Sequence, residues 1–146
     1  AKRVPRTAVL DLRVIPAPDE VATALQLPVG TEVTWIERLR YADDEPLALM
    51  HNAIPREHTT FGVDELAQHG LYELLRRAGL TPQIAIQTIG ARSATASEAR
   101  TLHEKRGAPL LTMTRTAWDP SGRVLEYGSH VYRASRYSFE LHLSAG

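Results

Sequence analysis

Residues 32–54 read EVTWIERLRYADDEPLALMHNAI. Two runs with strand character, Glu32–Tyr41 and Pro46–Ile54, are separated by the acidic tetrad Ala42-Asp43-Asp44-Glu45, whose composition is that of a turn. The segment is therefore predicted to be a β-hairpin. Side chains alternate across a strand, so Thr34, Ile36, Arg38 and Arg40 fall on one face and Trp35, Glu37, Leu39 and Tyr41 on the other.

Upstream of the hairpin, TAVLDLRV (Thr7–Val14) alternates partly, as a half-buried strand does, and Pro16 and Pro18 stop it. Pro18 followed by Asp19 and Glu20 opens a short helix to about Leu25, which Pro28-Val29-Gly30 ends. Residues 1–6, AKRVPR, have the basic, proline-containing character of a linker remnant, which leaves 7–146 as one domain. Downstream, the apolar spacing of Leu66, Leu71, Leu74, Leu75 and Ala78 predicts one or two helices within Phe61–Ala78, with Gly70 as a break and Gly79 as a cap. A strand is expected over about Gln83–Ala94, and Thr95-Ala96-Ser97-Glu98 is a capping box opening a helix to about Lys105. The last third is predicted as a three-strand meander: Pro109–Trp118, Arg123–Arg133 after the turn Asp119-Pro120-Ser121-Gly122, and Tyr137–Leu143. Hairpins dominate and the alternation of a parallel sheet is missing, so the fold class is α+β: an antiparallel sheet with flanking helices. Residues 18–54 and 95–133 repeat the order helix, break, hairpin, and ERLRYADDEPLAL is echoed by TRTAWDPSGRVLE. Two similar halves with a cleft between them follow from that duplication.

Composition excludes much. Seventeen basic residues balance seventeen acidic ones in 146, which argues against a module that binds a polyanion by itself. With 43% hydrophobic and 23% charged residues the chain is an ordinary globular unit, long enough to need no metal or disulfide staple. Cysteine is absent, which removes disulfides and thiolate chemistry and suits a reducing compartment. No apolar run approaches a membrane span, and the expected address is the cytoplasm. Neither GxxxxGK[ST] nor GxGxxG occurs, and the six histidines form no short ligand spacing, so neither a nucleotide cofactor nor a metal is indicated. Gly128-Ser129 lacks the second glycine of GxSxG, and no catalytic residue is assigned.

The charged faces of the strands carry the remaining signal. Arg38 and Arg40, side by side on one strand, present two planar donor forks that suit a carboxylate or phosphate; paired with acids such as Glu37 or Glu45 they are surface charges instead. In Val124–Tyr132 alternation gathers Glu126, Gly128, His130 and Tyr132, a polar face that lines a pocket or meets solvent. Tyr72 projects a hydroxyl toward a ligand or forms the wet edge of a core. His51 and His130 are candidates for ligand or pH-sensitive contacts.

Three blocks, WIERLRYAD with EPLA (residues 35–43 and 45–48), GLYELL (70–75) and VYRASRYSF (131–139), stand in an order that resembles the UTRA domain, the effector-sensing half of HutC-type regulators in the GntR family. The resemblance runs from about Val9 to Leu143. It implies a chorismate-lyase-like fold, an upstream winged helix-turn-helix domain that makes the DNA contacts, a homodimer, and a small anionic effector such as a sugar phosphate or carboxylate. It further points to Arg38 and Arg40 for the anion and to Tyr72, Glu126 and Tyr132 for the rest of the site. Gly70 stands where the family often has a phosphate-binding serine, Met50 where a polar residue is frequent, and Ser135 where an aspartate is common. The rival expectations are a lyase with Glu126 as general acid and a dimerisation module with a vestigial pocket.

Overall fold

A computed structural model describes residues 5–144. Six strands form a single sheet: β1 (Pro5–Pro16), β2 (Glu32–Ala42), β3 (Glu45–Pro55), β4 (Ile84–Ser93), β5 (Pro109–Trp118) and β6 (Val124–Arg133). Their spatial order is β1-β2-β3-β6-β5-β4, with every neighbour antiparallel. Four α-helices and one 3-10 turn (Arg56–His58) accompany them among the described residues: α1 (Asp19–Leu25), α2 (Val63–Gln68), α3 (Leu71–Arg77) and α4 (Ala96–Leu102). The hairpin expected at residues 32–54 is β2–β3, and Asp43 (φ 53°) and Asp44 (φ 63°) both take the left-handed backbone that suits a two-residue hairpin loop.

The duplication is a local two-fold. Within each half a strand, a helix and a hairpin follow in order, and a shift of 77 residues carries Asp19–Leu25 onto Ala96–Leu102 and Arg38 onto Arg115. The register agrees, with the shift grown to 78 on the second strand of the hairpin: the pair Arg38–Met50 becomes Arg115–Gly128, and Glu37–His51 becomes Thr114–Ser129. The pair His51–Ser129 joins the two central strands and maps onto itself, which places the axis there. Even the helix ends match, since Gln26 and His103 close α1 and α4 with the same φ 57°, ψ 43°.

Helices α1 and α4 cover one face. Val21, Ala22 and Leu25 pack on Val33, Ala53 and Tyr127, while Ala99 and Leu102 pack on Leu39, Leu49 and Val131. The opposite face is roofed on one side only, where Leu66 of α2 and Leu71, Leu74 and Leu75 of α3 bury Ile36 and Ile54. Each fully buried aliphatic side chain there contributes about 1.5–3 kcal/mol.

Three expectations need correction. Tyr137–Leu143 is not a strand; the chain there has no regular structure. Both edges of β6 are already taken by β3 and β5, so the tail finds no ladder beside it. Its alternating aromatics instead pack on Tyr132, Tyr137 stacked with ring centroids 4.4 Å apart and Phe139 edge-on at 5.6 Å. Pro5 and Arg6, read as linker, belong to β1 opposite Ala42 and Tyr41, whereas residues 1–4 of that segment lie outside the described residues. Helix α4 stops at Leu102 rather than Lys105, because His103 turns left-handed and bonds back to Ala99 and Arg100. The strand expected over Gln83–Ala94 is β4, and both ends fall one residue inside.

Candidate functional site

The unroofed half of the sheet is a cleft. Its floor is built row by row across the strands: Arg38–Met50–His130–Met113 in one row and Ile36–Asn52–Gly128–Arg115 in the next. An outer space of about 540 Å³ is lined by Arg40, Met50, Met113 and Tyr132 among others, and an inner one of about 260 Å³ by Asn52, Tyr72, Glu126 and Gly128. Arg38, Arg40, Gly70, Arg115 and His130 line both, so the two are one continuous hollow.

At its base a hydrogen-bonded chain is strung between three strands and a helix. The Tyr72 hydroxyl on α3 donates to Glu126 Oε1 at 2.7 Å, Asn52 Nδ2 donates to Glu126 Oε2 at 3.1 Å, and Arg38 donates to Asn52 Oδ1 at 3.0 Å. Glu126 is buried, and burial pushes its carboxyl above the usual range even though Tyr72, Asn52, Arg115 and Arg38 pull the other way. Burial, with Glu126 beside it, also pushes the Tyr72 hydroxyl up to about 12. His130 is held down to about 3, first by burial and then by Arg38 and Arg115, so its ring is neutral. Neither His130 nitrogen nor Arg38 Nε has a hydrogen-bond partner, and a buried polar atom left in that condition costs free energy that a ligand can return.

The charge of the hollow is one-sided. Arg6, Arg13, Arg56, Arg77, Arg92, Arg123 and Arg133 are each within 4.0 Å of a carboxylate. Arg38, Arg40 and Arg115 have no such partner among the described residues, and the carboxylate whose charge acts on Arg38 and Arg115 is Glu126. Three guanidinium groups against one carboxylate make a site for an anion.

The six residues singled out from sequence, Arg38, Arg40, Tyr72, Glu126, His130 and Tyr132, all line this hollow. The alternative pairings for the arginines do not occur, since Glu37 binds His51 at 2.7 Å and Glu45 faces Arg133 at 3.4 Å. His51 lies on the other face, stacked on Trp35 with centroids 5.1 Å apart. Of the three departures from the family pattern, Gly70 and Met50 line the cleft, while Ser135 is turned away and donates to Glu104 at 2.8 Å. Sequence reasoning missed Asn52 and Arg115. The signal for both was present: Asn52 alternates with Met50 on β3, and aligning ERLR with TRTA sets Arg115 under Arg38. Among the described residues no group of three or more His, Asp or Glu side chains is placed to hold a metal, and no helix is long and apolar enough to cross a membrane.

Comparison with known proteins agrees with this construction. The family model of the UTRA domain matches residues 1–138. The HTH-type transcriptional repressor NagR of Bacillus subtilis is 30% identical over 136 residues, which is 92% of this chain and 56% of the repressor. The chain thus spans about half the length of that relative. A solved structure of a candidate transcriptional regulator from Streptomyces coelicolor is 49% identical, covers 95% of this chain and 93% of its own, and superposes with a TM-score of 0.91. A GntR-family transcriptional regulator from Enterococcus faecalis is 27% identical over 94% of this chain and 99% of its own, with a TM-score of 0.87. The chain belongs to the UTRA domain family.

Proposed function

We propose that this chain is the effector-sensing and dimerisation part of a bacterial transcriptional regulator, and that its effector is a small anionic metabolite, a sugar phosphate or a carboxylate. The observation that carries this reading is the set of arginines without acidic partners around buried Glu126. The anion sits against Arg38 and Arg40, and Tyr72, Glu126, His130 and Tyr132 orient the rest of the molecule. Met50 and Met113 make one wall apolar, which admits a metabolite with a hydrophobic portion. DNA is met by a separate winged helix-turn-helix domain of the whole protein in the cytoplasm, which is why this chain needs no net positive charge. Effector binding shifts operator affinity when it favours one arrangement of the dimer over another, typically by about 1–3 kcal/mol of coupling.

The second copy docks along β4. All ten of its residues are exposed, among them Ile84, Ile86 and Ile89, and it carries no proline or bulge and one charge, Arg92. An edge so unprotected pairs with its own kind.

Isothermal titration against a panel of sugar phosphates and carboxylates tests the sensor. Binding that Arg38→Ala and Arg40→Ala abolish, with the ligand returned unchanged, supports it. Turnover of a chorismate-like substrate with Glu126 as the acid would make the domain an enzyme, and the raised carboxyl of Glu126 is the feature that favours that rival. A panel with no binder at all would leave a dimerisation module with a vestigial pocket.

A further inference from the structure

We infer that Arg115 is the other half of the anion clamp, so that the effector's charged group is held across the local two-fold axis between Arg38 and Arg115 rather than along β2 alone. This rests on the cleft being an anion site and adds to it the residue and the charge of the group bound.

Three observations lead there. First, Arg115 is the two-fold mate of Arg38: each stands on the strand flanking a central one, at equivalent register, facing the same side of the sheet. The axis passes through the β3–β6 pair between them, and both guanidinium groups border the inner and the outer part of the hollow. Second, a polar link lies on the floor between them. The cross-strand neighbour of Arg115 is Gly128, where a Cβ would come within 2.9 Å of Glu126 Oε2 and 3.0 Å of Asn52 Nδ2, so the missing side chain makes room for the hydrogen-bonded Glu126–Asn52 pair, which reaches Arg38 through Asn52. Third, Arg115 is aimed without being neutralised. Its Nε and Nη2 donate to Gln87 Oε1 on β4 at 3.1 and 3.0 Å, and its guanidinium lies 5.7 Å from the Tyr72 ring, contacts that orient the group and leave its charge intact. His130, neutral and without a partner for either ring nitrogen, stands in the row beside it.

With Arg6 at the outer rim set against Asp44, Arg38, Arg40 and Arg115 against Glu126 leave the hollow with a surplus of two positive charges. A group carrying two negative charges, a phosphate monoester or a pair of carboxylates, neutralises that surplus; a monocarboxylate does not.

The test uses this chain and inorganic phosphate as probe, with thermal unfolding and isothermal titration followed at constant ionic strength in chloride, and acetate as the singly charged comparison. Phosphate is expected to raise the melting temperature more than acetate does. Arg115→Ala should weaken phosphate binding as much as Arg38→Ala, about tenfold or more, one lost charge-assisted contact of about 1.4 kcal/mol being a factor of ten. Arg115→Lys should recover part of the loss, and Gln87→Ala, which frees the guanidinium, should weaken binding by a smaller factor. Arg76→Ala, at an exposed position of α3, is the control and should bind as the original does. If Arg38→Ala abolishes the phosphate response while Arg115→Ala keeps it, the two-sided clamp is overturned and the one-strand site stands. If the unaltered chain answers neither phosphate nor acetate, the anion reading of the cleft falls with it. Loss of folding in Arg115→Ala, with Arg115→Lys folded and binding at the original strength, would assign Arg115 a merely structural part and equally refute the clamp.

Discussion

Replacing Gly128 by alanine adds one methyl group to the floor of the cleft, and its consequence is computable from the neighbours. The new Cβ would meet Glu126 Oε2 at 2.9 Å, Asn52 Nδ2 at 3.0 Å and His130 Nε2 at 3.4 Å, the first closer than side chains tolerate and the second tight enough that the amide must give way. Those two atoms are themselves joined by a 3.1 Å hydrogen bond, so the methyl group wedges into a buried contact between an amide and a carboxylate. Glycine is not demanded here by a left-handed backbone, since Gly128 is not among the positive-φ residues, and the whole cost is one of space. Overpacking of a tight core costs about 1–3 kcal/mol, and loss of a hydrogen bond to a charged group about the same, so about 2 kcal/mol is expected. For a chain of this size that lowers the melting temperature by about 4–8 °C. Asn52 also holds Arg38, so its displacement should weaken phosphate binding by roughly tenfold. Calorimetric unfolding and phosphate titration read both effects. Gly70→Ala is the comparison, because no atom lies within 4 Å of its Cβ. If Gly128→Ala melts and binds as the original does, the close packing of Glu126, Asn52 and Arg38 is wrong.

Glu126→Gln should stabilise the fold at neutral pH. Burial raises the folded carboxyl above its unfolded value, so the protonated form favours folding: that contribution is complete below about pH 4.3 and is lost as pH climbs through the folded value. The melting gap between Glu126→Gln and the original chain should therefore widen from pH 4 upward, and a gap that stays constant or narrows contradicts the assignment. Gly70→Ser puts a hydroxyl at the lip of the cleft and a capping side chain on α3; stability should change by only a few tenths of a kcal/mol while phosphate affinity rises, both measurable by the titrations above. Ile86→Glu places a charge on the exposed β4 edge and should turn a dimer into a monomer in sedimentation velocity, with the melting curve of a diluted sample unchanged.

Much of this was legible in the sequence because alternation along a strand is a local property. Arg38 with Arg40, and Glu126 with His130 and Tyr132, could be grouped from period two alone, and the capping box at Thr95–Glu98 is made as written, with Glu98 N–H donating to Thr95 Oγ1 at 3.2 Å. What could not be read was which strand edges were already occupied. Tyr137–Leu143 has the pattern of a strand and forms none, because the ladder beside it is full. The place of α2 and α3, which decides where the sheet is bare, depends on contacts between Leu66, Leu71 and Ile36 that are distant in the chain. Arg115 was within reach through the internal echo, yet its part in the cleft emerges only when β5 is set two strands away from β3.

The repeated halves make the molecule its own replicate. Gln26 and His103 end their helices in one and the same left-handed conformation, so Gln26→Gly and His103→Gly relieve the same backbone cost of about 1 kcal/mol in two places. Helices α1 and α4 share one face of the sheet, and the roof of α2 and α3 stands on the other. Substitutions made in such pairs calibrate each other, and any disagreement between twins measures what the unshared surroundings contribute.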